Sequence, residues 1–525
     1  MNRQNGSLPF RIPFSRTLLF ASVMVFLCVA NLRAQTGLST VPRSGGSISP
    51  LVTVPAFSTL TFSGTSSANS MSITIDALGS VGFQDDATAG TSSMLNYGTI
   101  SFTGQGNGVS FSTAANTTIT NNNTVYFQDY ATAGNSNITN SNYLEFDNHS
   151  TAASSTITNS NGIAFFNNST AGGSAIITNN NMTFNDNATA GNANIANTVA
   201  LQFYNNSSAG AATFTNTTTG YLTFNDNSLG GTAVISNQGN LDFDESSNAQ
   251  SASIYNINYA SFNNNSSAGS ATILNSANLF FYDNSNASSV TITNNGSLSF
   301  RGFSTAASAG ITNSNYMEFV ENSDAGSSTI NNSGELEFYQ NSNAHNARIT
   351  NSASGGITFN DGSTVGNANI VNNGGMFFTG QGNGVSFSTA GSSTITNNGM
   401  INFVDYSTAG SSAITNTGLG ALVFGFNSTA GTAQINNSNI LQFVNNSTAA
   451  NSNITNSSSG VLTFNDNASS GSSTVANEGL LFYQGTSTGG AAAINNLSGG
   501  TVNFNNNSTA GTATIVNDVS RTRNV

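Results

Sequence analysis

From about residue 56 the chain repeats a short hydrophobic rhythm. An aliphatic residue and a phenylalanine recur two positions apart, usually around a polar residue: LEF at 144–146, LQF at 201–203, LTF at 222–224, LDF at 241–243 and MEF at 317–319. Period-two alternation marks a strand with one buried face. Leu144 and Phe146 are therefore expected inside and Glu145 outside. One Phe marked per unit, from Phe62 through Phe464 and Phe482 to Phe504, gives 23 anchors. Of the 22 intervals, thirteen are 19 residues and five are 21; two, starting at Phe102 and Phe378, are 25.

Other positions keep the same beat. Eleven residues after most anchors stands an aliphatic residue, as at Ile138, Ile157, Ile195 and Ile254, and the next Phe follows eight later. Ala often sits two before that Ile, Asn two after it in 20 units, and Ala six after the Phe within STAG. No stretch shows a 3.6-residue period with helix caps. A unit this short cannot bury its own apolar face, and stacking the units solves the problem. The pattern predicts an all-β fold, a right-handed parallel β-helix (β-solenoid) of about 23 coils of mostly 19–21 residues. Like side chains then lie over one another, giving a rod on the order of 110 Å long at roughly 4.8 Å per coil. Each buried Phe or Ile contributes roughly 1.5–3 kcal/mol. The Asn share the parity of the Ile, so they turn inward, where stacked amides can bond along the column and offset their burial. Proline would delete ladder bonds, and all five Pro lie before residue 56.

The peptide FTGQGNGVSFSTA occupies 102–114 and returns unchanged at 378–390. Each copy begins at an anchor Phe and adds six residues, which reads as a loop bulging from a coil edge. No strand-to-helix junction and no Lys follows, so a phosphate loop is unsupported. Because the loops protrude from an otherwise uniform surface, their residues are the candidate binding positions: Gly104, Gln105, Gly106, Asn107 and Gly108, with Gly380, Gln381, Gly382, Asn383 and Gly384.

Charge narrows the partners. Charged residues are 6% of the chain and the net charge is −13. Lys is absent, and the repeats hold only Arg301 and Arg348. Capture of nucleic acid or anionic lipid needs clustered cations, so neither is an expected partner. Residues 1–34 read as a secretory signal: Arg3, Arg11 and Arg16 precede the apolar run TLLFASVMVFLCVANL, with cleavage after Ala30 or Ala34. Residues 35–55 then form a linker or cap, 56–517 the solenoid and 518–525 a tail. The only cysteine, Cys28, lies in the signal, so no disulfide framework or thiol chemistry is expected in the mature chain.

Two residues after the anchor an acid stands in ten units: Asp85, Asp129, Asp186, Asp226, Glu245, Asp283, Glu321, Asp361, Asp405 and Asp466. A Ca²⁺ column is the sharper reading; a corner that suits Asp and Asn is the plainer and preferred one. No metal or cofactor is implied. A β-helix polysaccharide lyase or glycoside hydrolase needs clustered carboxylates, often with Lys or Arg, and Arg301 and Arg348 fall in different columns. His149 and His345 are single departures from small polar positions and read as solvated. Thr rows flanking Ile, as in TIT at 118–120, are too broken for an ice-binding lattice. No catalytic residue is nominated.

The signal, the ITNS-type turns and units such as 201–214 and 441–454 give a resemblance. Over about 56–517 the chain resembles the passenger regions of bacterial autotransporters and, more loosely, filamentous-haemagglutinin-type adhesins. That resemblance implies export and display on, or release from, the outer surface of a Gram-negative-type cell. Such passengers precede a translocator barrel; here the repeats run to about Val516 and no barrel fits after them, so either the product is truncated or a separate outer-membrane translocator is the expected partner. The leading expectation is a non-enzymatic, adhesin-like surface or secreted stalk that contacts host or environmental glycans or proteins. A carbohydrate-active β-helix enzyme is the alternative, and ice binding a distant third.

Overall fold

The computed structural model describes residues 50–518, apart from 179 and 381–386. The expected signal segment, including Cys28, lies outside the described residues. Among those described there are 47 strands and no helix, from β1 (Leu51–Val54) to β47 (Thr514–Asn517). Odd-numbered strands form one parallel sheet of 24 strands and even-numbered strands a second of 23. The first strand falls within the 35–55 stretch. Each strand pairs with its counterpart one coil on: Leu144 faces Val125 and Ile163, and Phe146 faces Phe127 and Phe165. A third row of single-residue bridges, such as Thr132 to Thr151 to Thr170, completes the wall. The chain is a parallel β-solenoid.

One coil shows how the alternation builds the core. Leu144, Phe146, Ser150, Ala152, Ser155, Ile157 and Asn159 point inward and are buried. The phenylalanine column is continuous, its rings nearly parallel from Phe62 to Phe504, with centroids 4.2–5.2 Å apart. Offset or parallel aromatic contacts of this kind add to plain burial. One anchor is corrected: Phe482 is not in the stack. Its place is taken by Tyr483, stacked on Phe464 at 5.1 Å and Phe504 at 4.5 Å. The reason is parity. Phe464 to Tyr483 is 19 residues and Tyr483 to Phe504 is 21, the regular steps, so Phe482 faces outward between Leu481 and Tyr483.

The STAG motif is a corner written in four residues. In the coil at 169–172, Ser169 and Ala171 point inward while Thr170 makes the bridge. The Thr170 hydroxyl accepts the Gly172 N–H at 3.0 Å. Gly172 has φ +64°, and a Cβ there would lie 2.8 Å from the carbonyl oxygen of Ala153. Glycine is favoured because it takes this conformation without a steric cost.

The asparagines form a ladder. Each Nδ2 donates to Oδ1 of the next coil's Asn, as from Asn216 to Asn237 (2.7 Å) and Asn237 to Asn256 (2.8 Å). Its second proton reaches a backbone carbonyl of the same next coil, as from Asn237 to Tyr259 at 2.7 Å. Links run from Asn96 to Asn159 and from Asn197 to Asn517, with Thr178 at the intervening position. Within each run repetition satisfies the buried amides; at the interruption the buried Asn197 Oδ1 has no hydrogen-bond partner among the described residues.

Candidate binding surface

The first duplicated loop leaves the corner after β6 (Thr99–Thr103). Gly104 approaches the next coil so closely that a Cβ would collide with the Asp129 carbonyl. The loop closes where Gln105 N–H donates to the Ser110 carbonyl at 3.1 Å. Asn107 Oδ1 accepts the N–H of Val109 (2.9 Å) and Ser110 (3.2 Å). Gly106 and Gly108 both have φ near +70°. Two side-chain bonds tie the loop to the preceding coil: Gln105 Nε2 to Asp85 (2.8 Å) and the Ser110 hydroxyl to Asp86 (3.3 Å). Val109 is 80% exposed at the tip. In the second copy Gly380 bridges to Phe387 in antiparallel fashion; Gln381, Gly382, Asn383 and Gly384 lie outside the described residues.

The acidic column is a corner. All ten of its residues have φ between 50° and 67°, the left-handed region in which Asp and Asn are enriched. Their carboxylates also have a structural task. Asp226 accepts the N–H of Asn205 at 2.8 Å, and Glu245 accepts the N–H of Asp226 at 3.0 Å. Asp85, Asp283, Glu321 and Asp466 cap the corner amide of the coil before them in the same way. Among the described residues, no group of three or more His, Asp or Glu side chains is placed to hold a metal ion. His149 stacks on Tyr130 (4.7 Å, 9°) and His345 sits at a corner with φ +52°.

The richest side-chain chemistry lies elsewhere, on the outer face of the Phe-bearing sheet. In β10 (Tyr143–Phe146) the Tyr143 hydroxyl donates to Glu145 at 2.7 Å. In β28 (Tyr316–Phe319) the Tyr316 hydroxyl lies 3.0 Å from Glu318 and 2.9 Å from Glu337 in the next coil, its one proton serving either. The Tyr339 hydroxyl also donates to Glu337. Glu318 further accepts the Ser299 hydroxyl (2.7 Å) and pairs with Arg301 at 2.5 Å. A few coils earlier, Asp242 accepts the Ser261 hydroxyl (2.6 Å), and Asn263 links Ser261 to Asp244, both at 2.8 Å. Between these groups Tyr259, Phe280 and Tyr282 touch in sequence, with ring centroids 5.5 and 5.2 Å apart.

Burial raises the titration ranges of this face. The Asp242 carboxyl is pushed up to about 6, first by burial and then by Asp244, with Ser261 partly opposing. Burial and the neighbouring carboxylates lift the Tyr143 and Tyr316 hydroxyls far above the usual phenol range. The sequence reading had Glu145 pointing outward but missed the network. The available signal was Tyr two residues before Glu, on the same outward parity, in YLEF and YMEF. Sequence spacing nominated the loops; the face has the denser side-chain chemistry.

Fold and surface together define the class, an all-β parallel solenoid. No protein-family model matches the sequence, and a comparison with curated proteins gave no match.

Proposed function

We propose that the chain is an exported, adhesin-like stalk of the autotransporter-passenger type, working at or beyond the bacterial cell surface. Reach and repeated contact are its task, and surface glycans or proteins of a host or substratum are its partners. An outer-membrane translocator delivers it. The observation that carries this reading is the inner repetition: a continuous aromatic column and a two-part amide ladder recur coil after coil while the outward positions vary. Such a scaffold favours many weak contacts over one deep site. A depression of about 610 Å³ is lined by Gly210, Thr232, Asn248 and Gln250 among others, with no carboxylate in its lining.

The test is expression of the full chain in a Gram-negative host with and without candidate translocator genes. Recovery at the cell surface or in the medium, as rods that adhere to glycan-coated beads, is the expected result. Retention in the cytoplasm, or failure to adhere to any surface, overturns it. A carbohydrate-active enzyme is the second reading, favoured by Asp242 and Asp244 lying two residues apart on one face with Asp242 protonated to about pH 6. Release of reducing ends by the native chain, abolished by Asp242→Asn, would establish that alternative.

A further inference from the structure

The coils from Asp242 to Tyr339 gather features found together nowhere else among the described residues. A run of touching, partly exposed rings, Tyr259 on one coil and Phe280 and Tyr282 on the next, spans two successive coils. Carboxylates flank it, Asp242 and Asp244 on one side and Glu318, Glu335 and Glu337 on the other, with Arg301 as the single cation on the strip. We propose that this strip binds an extended polysaccharide bearing free amino groups, laid along the rod axis.

Three physical arguments converge on that occupant. The first is charge. Five carboxylates against one guanidinium repel a polyanion and attract an ammonium, and the part-buried setting weakens solvent screening. An ammonium is also drawn to the faces of Tyr and Phe. Burial holds Asp242 protonated well above its ordinary range, and a cation beside it would favour the charged form.

The second is shape. The strip lies on a sheet face with no enclosed pocket, so a single small amine gains little there. A flat sugar ring offers apolar C–H groups to the aromatic rings and hydroxyls to the carboxylates and to Asn263. A basic peptide is disfavoured because peptide capture by a sheet uses a free strand edge. Here every strand of the strip is paired on both sides, as β22 (Tyr259–Phe262) is with the strands at Asn240–Phe243 and Asn278–Phe281.

The third is periodicity. Under the strip the coils advance by 4.6–4.8 Å, measured between stacked rings from Phe243 to Phe338. A polymer with its own short repeat meets equivalent groups on several coils, and the contacts add through effective concentration. Five such steps span roughly 24 Å, room for several sugar units.

This inference rests on the stalk reading only in taking its ligand to be an extracellular polymer. The experiment titrates the full chain with glucosamine oligomers of increasing length, alongside their N-acetylated counterparts, oligogalacturonate and oligolysine. Glucosamine oligomers should bind with affinity that rises with length and falls with salt, while the acetylated and anionic oligomers bind at least about tenfold more weakly. Tyr259→Ala with Phe280→Ala, and separately Glu318→Gln with Glu337→Gln, should each cost about tenfold or more. Circular dichroism should be unchanged, because none of these side chains enters the stack. The Gln pair keeps the size and shape of the side chains and isolates charge even where the Ala pair perturbs the fold. Equal binding of acetylated oligomers, tighter binding of oligolysine, or native-like binding by the Gln pair overturns the proposal. Export and adhesion are scored separately in the surface assay, so failure on one side leaves the other standing.

Discussion

The hydroxyls of Ser470 and Tyr483 lie 2.6 Å apart inside the core. Both residues depart from their columns, and they depart together. Where Tyr483 stands the column otherwise holds Phe, and where Ser470 stands the neighbouring coils hold Ala449 and Gly489. Burial pushes the Tyr483 phenol up to about 12, so it stays neutral and hydrogen-bonded at physiological pH. The pair predicts a compensated double mutant. Tyr483→Phe alone should cost about 1–2 kcal/mol by orphaning the buried Ser470 hydroxyl, and Ser470→Ala alone a similar amount. Together they should restore near-native stability, read as a coupling of about 1 kcal/mol or more in a urea double-mutant cycle. Additive losses would show that the hydroxyls do not interact.

The same pair shows what the sequence made legible. Period-two alternation located the strands, and the 19-residue step implied stacking. Phe482 was chosen over Tyr483 because residue type was followed where register decides, and register is set by backbone pairing. The inward columns were readable because repetition amplifies them. The outer-face network was not, since Tyr316, Glu318 and Glu337 come together across coils through positions that vary freely. The acidic column was readable as a corner, but its capping of the preceding coil's amide emerges only in three dimensions.

Buried serines offer a stabilisation test. Ser247, Ser266 and Ser285 occupy one inward column on successive coils, buried and with no hydrogen-bond partner for their hydroxyls. Other coils carry Ala at this place, as at Ala131 and Ala188. Each Ser→Ala change should raise stability by about 0.5–1 kcal/mol by removing an unpaired buried hydroxyl. Ser323→Ala should give no gain, because its hydroxyl donates to the Val320 carbonyl at 2.9 Å. Thermal midpoints of the four single variants decide the matter, and equal shifts in all four would sink it.

The amide ladder predicts a pH-conditional defect. Asn256 accepts from Asn237 and donates to Asn275 and to the Asn278 carbonyl, each at 2.8 Å. Asn256→Asp keeps the acceptor, removes both donors and buries a charge. It should cost about 2–4 kcal/mol at neutral pH, with faster amide exchange in the flanking coils. The buried carboxyl is expected to have a raised folded-state value, so the loss should shrink as pH falls through that value and the group becomes neutral. A defect that does not vary with pH would mean that the lost donors, and not the charge, carry the cost.

Asp242 gives the opposite sign from an ordinary surface carboxylate. Its folded value is raised from 3.8 to about 6. The folded chain therefore binds the proton more tightly, and this group's contribution is full below about pH 4 and lost as pH rises through 6. Asp242→Asn should stabilise the protein at pH 7 by on the order of 1–3 kcal/mol, and the gain should vanish near pH 3.5. Urea midpoints at the two pH values measure it, and an equal effect at both would remove Asp242 as the cause.

The duplicated loop should be dispensable to the rod. Removing Gln105–Ser110 joins Gly104 to Phe111 and leaves FTGFSTA, one residue away from FRGFSTA at 300–306, which folds as a regular coil with Gly302 at φ +73°. Gly104 would then take the left-handed corner that Gly302 fills. The deletion gives up only exposed bonds, Gln105 to Asp85 and Ser110 to Asp86. It should also relax the next corner, where Asp129 and Tyr130 both have positive φ, at 52° and 69°, a strain rarely seen in an aromatic residue. Stability should therefore be unchanged or higher by up to about 1 kcal/mol. A midpoint lowered by more than that would make the loop part of the fold and not an ornament on it. If stability holds while adhesion falls, the loops themselves, and not only the face described above, make contact with a partner.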